Sequence, residues 1–99
     1  MSNTTPKFSP GQLVATPGVL EALAESGQTP DFFLEKHFRG DWGDVSADDR
    51  ELNDEALVDG SRIVSAYKTL KGVKIWIITE AEGDDRKREA TTLLLPDEY

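Results

Sequence analysis

The chain has 99 residues, a length that suits one domain with a modest hydrophobic core. Its formal charge is −8 and its sequence pI is about 4.5, which argues against direct nucleic-acid binding because phosphate contacts need basic residues. The chain has no cysteine, which excludes disulfides, thiolate chemistry and cysteine-ligated metal centres. We therefore expect no cofactor, and an acidic surface favours a protein partner with a basic face.

The N-terminus, MSNTTPKFSPG, is polar and lacks the hydrophobic segment of a signal peptide. No apolar run in the sequence is long enough to cross a membrane. These features predict a cytoplasmic protein. Pro6 and Pro10 block regular structure, so residues 1–10 are expected to form a flexible leader before a single α+β domain over residues 11–99.

The first candidate element is GQLVAT, Gly11 to Thr16, which is either a short strand or an extended lead-in. Three helices are predicted next, because capping residues and N-terminal prolines alternate with glycines that end helices. They run from Pro17 to Gly27, from Pro30 to Gly40 and from Ser46 to Gly60. Helical spacing places an inward stripe on each: Val19, Leu20, Leu23 and Ala24; Phe33, Leu34, His37 and Phe38; and Leu52 and Ala56 with Asn53 and Leu57 beside them.

The periodicity then changes from helix to strand. RIVSAYKTL and VKIWIITE flank Lys71-Gly72, which predicts a hairpin with a two-residue turn. That register pairs Tyr67 with Trp76 on the face away from the helices. ATTLLLP predicts a third strand, so the expected fold is α+β, with three N-terminal helices packed on one face of a C-terminal three-stranded antiparallel meander.

One candidate site is the stretch EKHFRGDWGDV, Glu35 to Val45, which contains the only histidine. Its glycines and aspartates suit a turn between two helices, and Trp42 is expected to insert into the core. The alternative is that His37 acts as an acid, a base or a polar contact beside Asp41 or Asp44.

The second candidate site lies on the predicted sheet. Tyr67 and Trp76 would form an exposed aromatic pair, with Glu80 at the end of the row and Arg86 and Arg88 in the following loop. Such a set could bind a partner, a base or a peptide. The alternative is that the aromatic rings only cover their own sheet.

The segment from Asp41 to Asp59 contains eight carboxylates and one basic residue, Arg50. It lacks the alternating spacing and closing glutamate of a calcium loop, so no metal site is predicted there. The predicted third helix is instead an acidic surface, and Asp48 and Asp49 are its candidate contacts to a basic partner.

Four stretches carry a family resemblance: LVATPGVLEAL, HFRGDWGDV with DDRELND, SAYKTLKGVKIWIITEA, and TTLLLPDEY. In combination they resemble a family of small bacterial proteins often labelled plasmid-related proteins, some of which carry the label type I restriction endonuclease subunit M. The resemblance covers Phe8 to Tyr99 and implies a setting in plasmids, integrated elements and defence loci, without a chemistry. This chain is longer than the family pattern after Glu80, so the family arginine is either Arg86 or Arg88.

Three functions remain open from the sequence. The first is an acidic accessory protein of plasmids or mobile elements that binds another protein, as a monomer or a homodimer. The second, by fold analogy, is a small barnase-like or RelE-like ribonuclease that uses Glu80 and His37 with Arg62 and Arg86 or Arg88. The third is a structural homodimer that buries Tyr67 and Trp76 between two chains.

Overall fold

The computed structural model describes residues 6–99, which form three α-helices, a four-stranded sheet and a short terminal 3-10 helix. Within these residues no helix is long and apolar enough to cross a membrane. In chain order the elements are β1 (Gln12–Ala15), α1 (Pro17–Ser26), α2 (Pro30–Phe38), α3 (Ala47–Asp59), β2 (Ile63–Lys68), β3 (Lys74–Thr79), β4 (Ala90–Leu94) and the 3-10 helix (Pro96–Glu98).

The strand order in the sheet is β1-β4-β3-β2, and β1 runs parallel to β4. The predicted arrangement, with N-terminal helices over a three-stranded antiparallel meander, is therefore wrong. A strand precedes the helices, and it makes the sheet mixed and four-stranded. The physical reason is the distance along the chain between the paired residues, since Leu13 pairs with Thr91. The local sequence of a four-residue strand does not indicate which distant strand it pairs with.

The hairpin between β2 and β3 also differs from the prediction. Its connection spans Thr69 to Val73, where the Thr69 N–H donates to the Val73 carbonyl at 2.9 Å and Gly72 N–H donates back to Thr69 at 2.8 Å. The two-residue turn is wrong, and the pairing is shifted by one residue. A shift of one residue exchanges the two faces of a strand, so Tyr67 and Trp76 lie on opposite sides of the sheet.

Helices α1 and α2 cover one face of the sheet and form the main core with it. Most of their predicted stripes are confirmed as buried or partly buried, but Leu20 is 47% exposed and Ala24 is also exposed. This main core includes the ring of Tyr67, whose centroid lies 5.6 Å from that of the Phe33 ring. Its buried members are Val19, Leu23, Phe33, Leu34, Tyr67, Ile75, Ile77 and Leu93.

Helix α3 lies at the β2 edge and is attached by few side chains. Asn53 and Ala56 are buried and Leu57 is partly buried, whereas Leu52, predicted to face inward, is 59% exposed. Ser46 caps the helix as predicted, accepting a hydrogen bond from the Asp49 N–H at 3.1 Å. Most of the surface of α3 therefore remains available to solvent or to another molecule.

Residues 1–5 of the expected leader lie outside the described residues. In the remainder, the Lys7 N–H donates to the Phe38 carbonyl at 2.9 Å. The Phe8 ring lies 5.2 Å from the His37 ring and 6.2 Å from the Trp42 ring. Phe8 thus packs beside the smaller core cluster, which consists of Trp42, Ala56 and Ile63.

The Gly-Asp-Trp-Gly-Asp run, residues 40–44, pairs through its backbone with the outer edge of β2. The Ala66 N–H donates to the Trp42 carbonyl at 3.1 Å, and the Asp44 N–H donates to the Ala66 carbonyl at 2.6 Å. Gly43 lies between these bonds with φ +75°, and a Cβ there would overlap the Ala66 carbonyl oxygen. Glycine is required at this position both by the left-handed backbone and by the close approach.

We predict that Gly43→Ala lowers the free energy of unfolding by about 2–4 kcal/mol, because it adds an overlap to a strained backbone. Gly72→Ala is the matched control: Gly72 also has a positive φ, +82°, but nothing lies within 4 Å of an added Cβ. The control should cost about 1 kcal/mol. Chemical denaturation measures both variants, and equal losses would contradict a specific role for the Gly43 approach.

Candidate functional site

His37 lies in the last turn of α2 and points into the sheet, where it is 0% exposed. Both ring nitrogens have partners inside the protein. Nδ1 is hydrogen-bonded to the Ser65 hydroxyl of β2, and Nε2 lies 2.8 Å from Thr79 Oγ1 of β3. The imidazole is therefore a packed core group that joins α2 to two strands.

The order of donors around His37 follows from one end of the hydrogen-bond chain. The Thr91 hydroxyl donates to the Pro10 carbonyl at 2.7 Å, so its hydrogen is used there. Thr79 must then donate to Thr91, also at 2.7 Å, and can only accept from His37. His37 must therefore donate from Nε2, and in the neutral imidazole, which its lowered pKa favours, Nδ1 accepts from the Ser65 hydroxyl.

This environment weakens His37 as an acid or base near neutral pH. Burial, and secondarily the charge of Arg88, lower the pKa of His37 to about 3. No ring nitrogen is left to accept a proton from a substrate, because both are occupied by hydroxyl groups. The geometry thus gives the catalytic reading of His37 no support.

We predict that His37 makes stability depend on pH. Its folded pKa is below the unfolded value of about 6.5, so its contribution is complete above pH 6.5 and is lost as pH falls. The free energy of unfolding should drop by about 2 kcal/mol from pH 6.5 to pH 5.

The His37→Gln variant should be less stable than the parent at pH 7. Its free energy of unfolding should not show the fall of about 2 kcal/mol between pH 6.5 and pH 5, since glutamine does not titrate. Denaturant unfolding at several pH values measures both chains. The carboxylates of Asp59 and Glu98, whose pKa values are lowered by hydrogen bonds from Ser61 and Thr16, titrate mainly below this window. An unchanged slope in the variant would contradict the assignment.

Arg88 is the second buried polar group, with an exposure of 3%. Its Nη1 donates to the carbonyls of Ser61 at 2.7 Å and Glu80 at 3.0 Å, and its Nη2 donates to Ala56 at 3.0 Å. The guanidinium lies 5.6 Å from the centre of the Phe8 ring, and its Nε has no hydrogen-bond partner within the described residues. Arg88 therefore holds the C-terminal end of α3 against the sheet, where a positive charge suits the helix dipole.

Arg86, the other arginine expected at the site, is exposed in the loop and has φ +62°. It lies in a turn that its own N–H closes by donating to the Gly83 carbonyl at 2.9 Å. Of the two arginines, only Arg88 is built into the interior.

We predict that Arg88→Met lowers the free energy of unfolding by about 2 kcal/mol, because it leaves the carbonyls of Ala56, Ser61 and Glu80 without their buried donor. Arg86→Met is the control and should change stability by less than about 0.5 kcal/mol. Thermal and chemical denaturation test the pair. If Arg88→Met were as stable as the parent chain, the free energy that desolvates the guanidinium would equal the free energy that its hydrogen bonds contribute, and the prediction would be wrong.

The predicted aromatic pair is not formed. Tyr67 is buried, its hydroxyl donates to the Asp41 carbonyl, and burial raises its pKa. Trp76 is half-buried on the opposite face, and the Glu80 residue is exposed. A homodimer cannot bury Tyr67 and Trp76 in one interface, and His37, Glu80 and the arginines do not converge in a cleft.

The structure instead places Trp76 in a groove of about 400 Å³ between α3 and the face of the sheet that α1 and α2 leave uncovered. The outward side chains of β2 and β3, the residues before α3, and α3 itself line it. Carboxylates and cations both border the apolar surface. Its lining includes Asp44, Asp49, Leu52, Arg62, Lys74 and Trp76.

Tyr99 contacts two of the residues that line this groove, Trp76 and Arg62. The Trp76 and Tyr99 rings lie 5.9 Å apart at an interplanar angle of 73°. Arg62 Nη1 donates to the Tyr99 hydroxyl at 2.9 Å, so its guanidinium is held at the groove. Sequence reasoning named Trp76 and Asp49 for binding but missed Leu52, Lys74 and Tyr99, because no local pattern brings these residues together.

Asp48 and Asp49 are both exposed in the first turn of α3. Only Asp49 lines the groove, whereas Asp48 belongs to the adjoining acidic surface of the helix. In the part of the chain that the structure describes, no group of three or more histidine, aspartate or glutamate side chains is placed to hold a metal ion. The carboxylates of α3 are thus arranged as a surface.

No protein-family model matches the chain, and neither a curated protein nor a solved structure is significantly similar to it. The resemblance to plasmid-related proteins therefore stays a prediction. The site has to be interpreted from its own geometry.

Proposed function

We propose that the chain is a small accessory protein of plasmids or mobile elements that binds a basic protein partner in the groove beside Trp76. The observation that carries this proposal is the half-buried Trp76 ring, which lies in a groove with Asp44 and Asp49. A tryptophan in a groove with a polar rim is a common energetic anchor of protein interfaces. The mobile-element setting rests on the family resemblance alone.

Charge favours a basic partner over an acidic one. The chain has a formal charge of −8, and α3 carries one arginine among its carboxylates. Such a surface attracts a cationic protein and speeds its association, and salt weakens the attraction. The groove lining itself holds two cations, Arg62 and Lys74, beside its two carboxylates, so the preference for a basic partner rests on the acidic surface of α3 that adjoins the groove at Asp49.

The ribonuclease alternative has less support from the geometry. A nuclease needs an accessible acid and base within reach of one phosphate. Both nitrogens of His37 are bonded inside the core, and Arg88 donates to backbone carbonyls. The binding role needs only the groove and the acidic surface, and both are exposed.

We predict that Trp76→Ala and Asp49→Lys each weaken binding of the partner by at least about tenfold, since one removes the anchor and the other reverses a charge in the groove. The tagged protein is first used to capture bacterial proteins, and a captured protein is then purified and titrated with each variant. Affinity should fall further as sodium chloride is raised.

Asp84→Lys is the matched control, because it makes the same charge change in the exposed loop after β3, away from the groove. It should retain the binding of the parent chain apart from a small long-range effect of charge. Circular dichroism checks that all variants are folded. Equal affinity for the parent, Trp76→Ala and Asp49→Lys would overturn the groove as the binding site.

A further inference from the structure

The two edges of the sheet are treated differently. At the β2 edge, the Trp42–Asp44 strip pairs with Ala66. Beside it, the Asn53 side chain accepts from the Val64 N–H at 3.2 Å and donates to the Val64 carbonyl at 2.8 Å. A backbone strip and a side-chain amide thus take the place of a further strand along this edge.

At the β1 edge, by contrast, none of the residues that the structure describes pairs with the outward side of the strand. The Gln12 N–H donates to the carbonyl of Glu89, just before β4, and the Thr16 N–H donates to the carbonyl of Leu93 in β4, each at 3.0 Å. Strand alternation then directs the N–H and C=O groups of Leu13 and Ala15 away from the sheet. Among the described residues none is hydrogen-bonded to these groups, and the side chains of Leu13 and Val14 are 53% and 39% exposed.

The β1 edge also lacks the usual protection against pairing. Natural edge strands carry lysine, proline, bulges or inward charges that prevent another strand from adding. The sequence of β1 is QLVA, which is uncharged and has two exposed aliphatic side chains. Pro10 and Pro17 stand outside the strand and limit how far a ladder can extend, but they leave the strand itself free.

We propose that β1 is a docking edge for β1 of a second copy of this chain, in an antiparallel pair whose two-fold axis passes at Val14. In this register Leu13 faces Ala15 of the second copy, so every outward N–H and C=O of these two residues finds a partner. Val14 faces Val14, and Gln12 faces Thr16. The two four-stranded sheets become one continuous sheet.

The strand is suited to its own copy because the pairing is self-complementary and places no charged side chains opposite one another. The interface is small, since four-residue strands bury less than the roughly 1,000 Å² of a stable complex. Each copy also has a formal charge of −8. The dimer is therefore transient, and salt strengthens it by screening the repulsion, opposite to the effect of salt on binding of a basic partner.

The test is self-association of the full chain, followed by analytical ultracentrifugation and by NMR of the Leu13 and Ala15 amides from about 10 μM to about 1 mM protein. The parent should dimerise across this range, more strongly at high salt, and its Leu13 and Ala15 amide protons should exchange more slowly as concentration rises. Val14→Lys should remain monomeric, because it places two lysines face to face.

Val58→Lys is the matched control, since it makes the same change at a residue of α3 that is 91% exposed, and it should dimerise like the parent. Thermal unfolding checks that both variants are folded. A parent chain that stays monomeric at high salt would overturn the proposal. The proposal would also be overturned if Val14→Lys still dimerised. The same holds if the Leu13 and Ala15 amide protons of the parent dimer exchanged as fast as those of the monomer. Neither result bears on the groove at Trp76.

Discussion

The fold depends on the need to satisfy a buried imidazole. His37 is hydrogen-bonded to the Ser65 hydroxyl of β2 and to the Thr79 hydroxyl of β3. The series of hydrogen bonds continues from Thr79 to the Thr91 hydroxyl of β4 and ends at the Pro10 carbonyl. A slip of one residue in the hairpin would place Ser65 and Thr79 on opposite faces of the sheet and leave one nitrogen of His37 without its partner, at a cost of about 1–3 kcal/mol. The polar network therefore fixes the register that aliphatic patterning leaves open. It also occupies both ring nitrogens of the only histidine in the sequence.

The same register determines where the exposed surfaces lie. Tyr67 enters the core, and Trp76 is directed to the opposite face, where it lines a groove beside α3 and contacts the Tyr99 ring. Gly43 and the Asn53 amide close the β2 edge beside that groove, and β1 is left open at the far side of the sheet. The protein thus offers two different surfaces: a groove with carboxylates for a basic partner and a neutral strand edge for its own copy.

Charge is divided between the inside and the outside of the molecule. Arg88 is enclosed and neutralises backbone dipoles at the end of α3, while the exposed side of that helix carries carboxylates. The resulting acidic surface is exposed, as the proposed binding role requires. The groove and the acidic surface are continuous at Asp49, which lines one and belongs to the other.

The sequence by itself determined the three helices, their caps at Thr16 and Ser46, and the turn that carries Trp42 into the core, since these features depend on neighbouring residues. It also determined the acidic surface and the absence of thiol chemistry. Only the tertiary structure decided the parallel pairing of β1 with β4, the hairpin register, the burial of Arg88 and the groove around Trp76. The strand pairing, the Arg88 contacts and the groove join residues far apart in the chain, and the hairpin register depends on hydroxyls that meet His37 from a distant helix, which no local pattern reports.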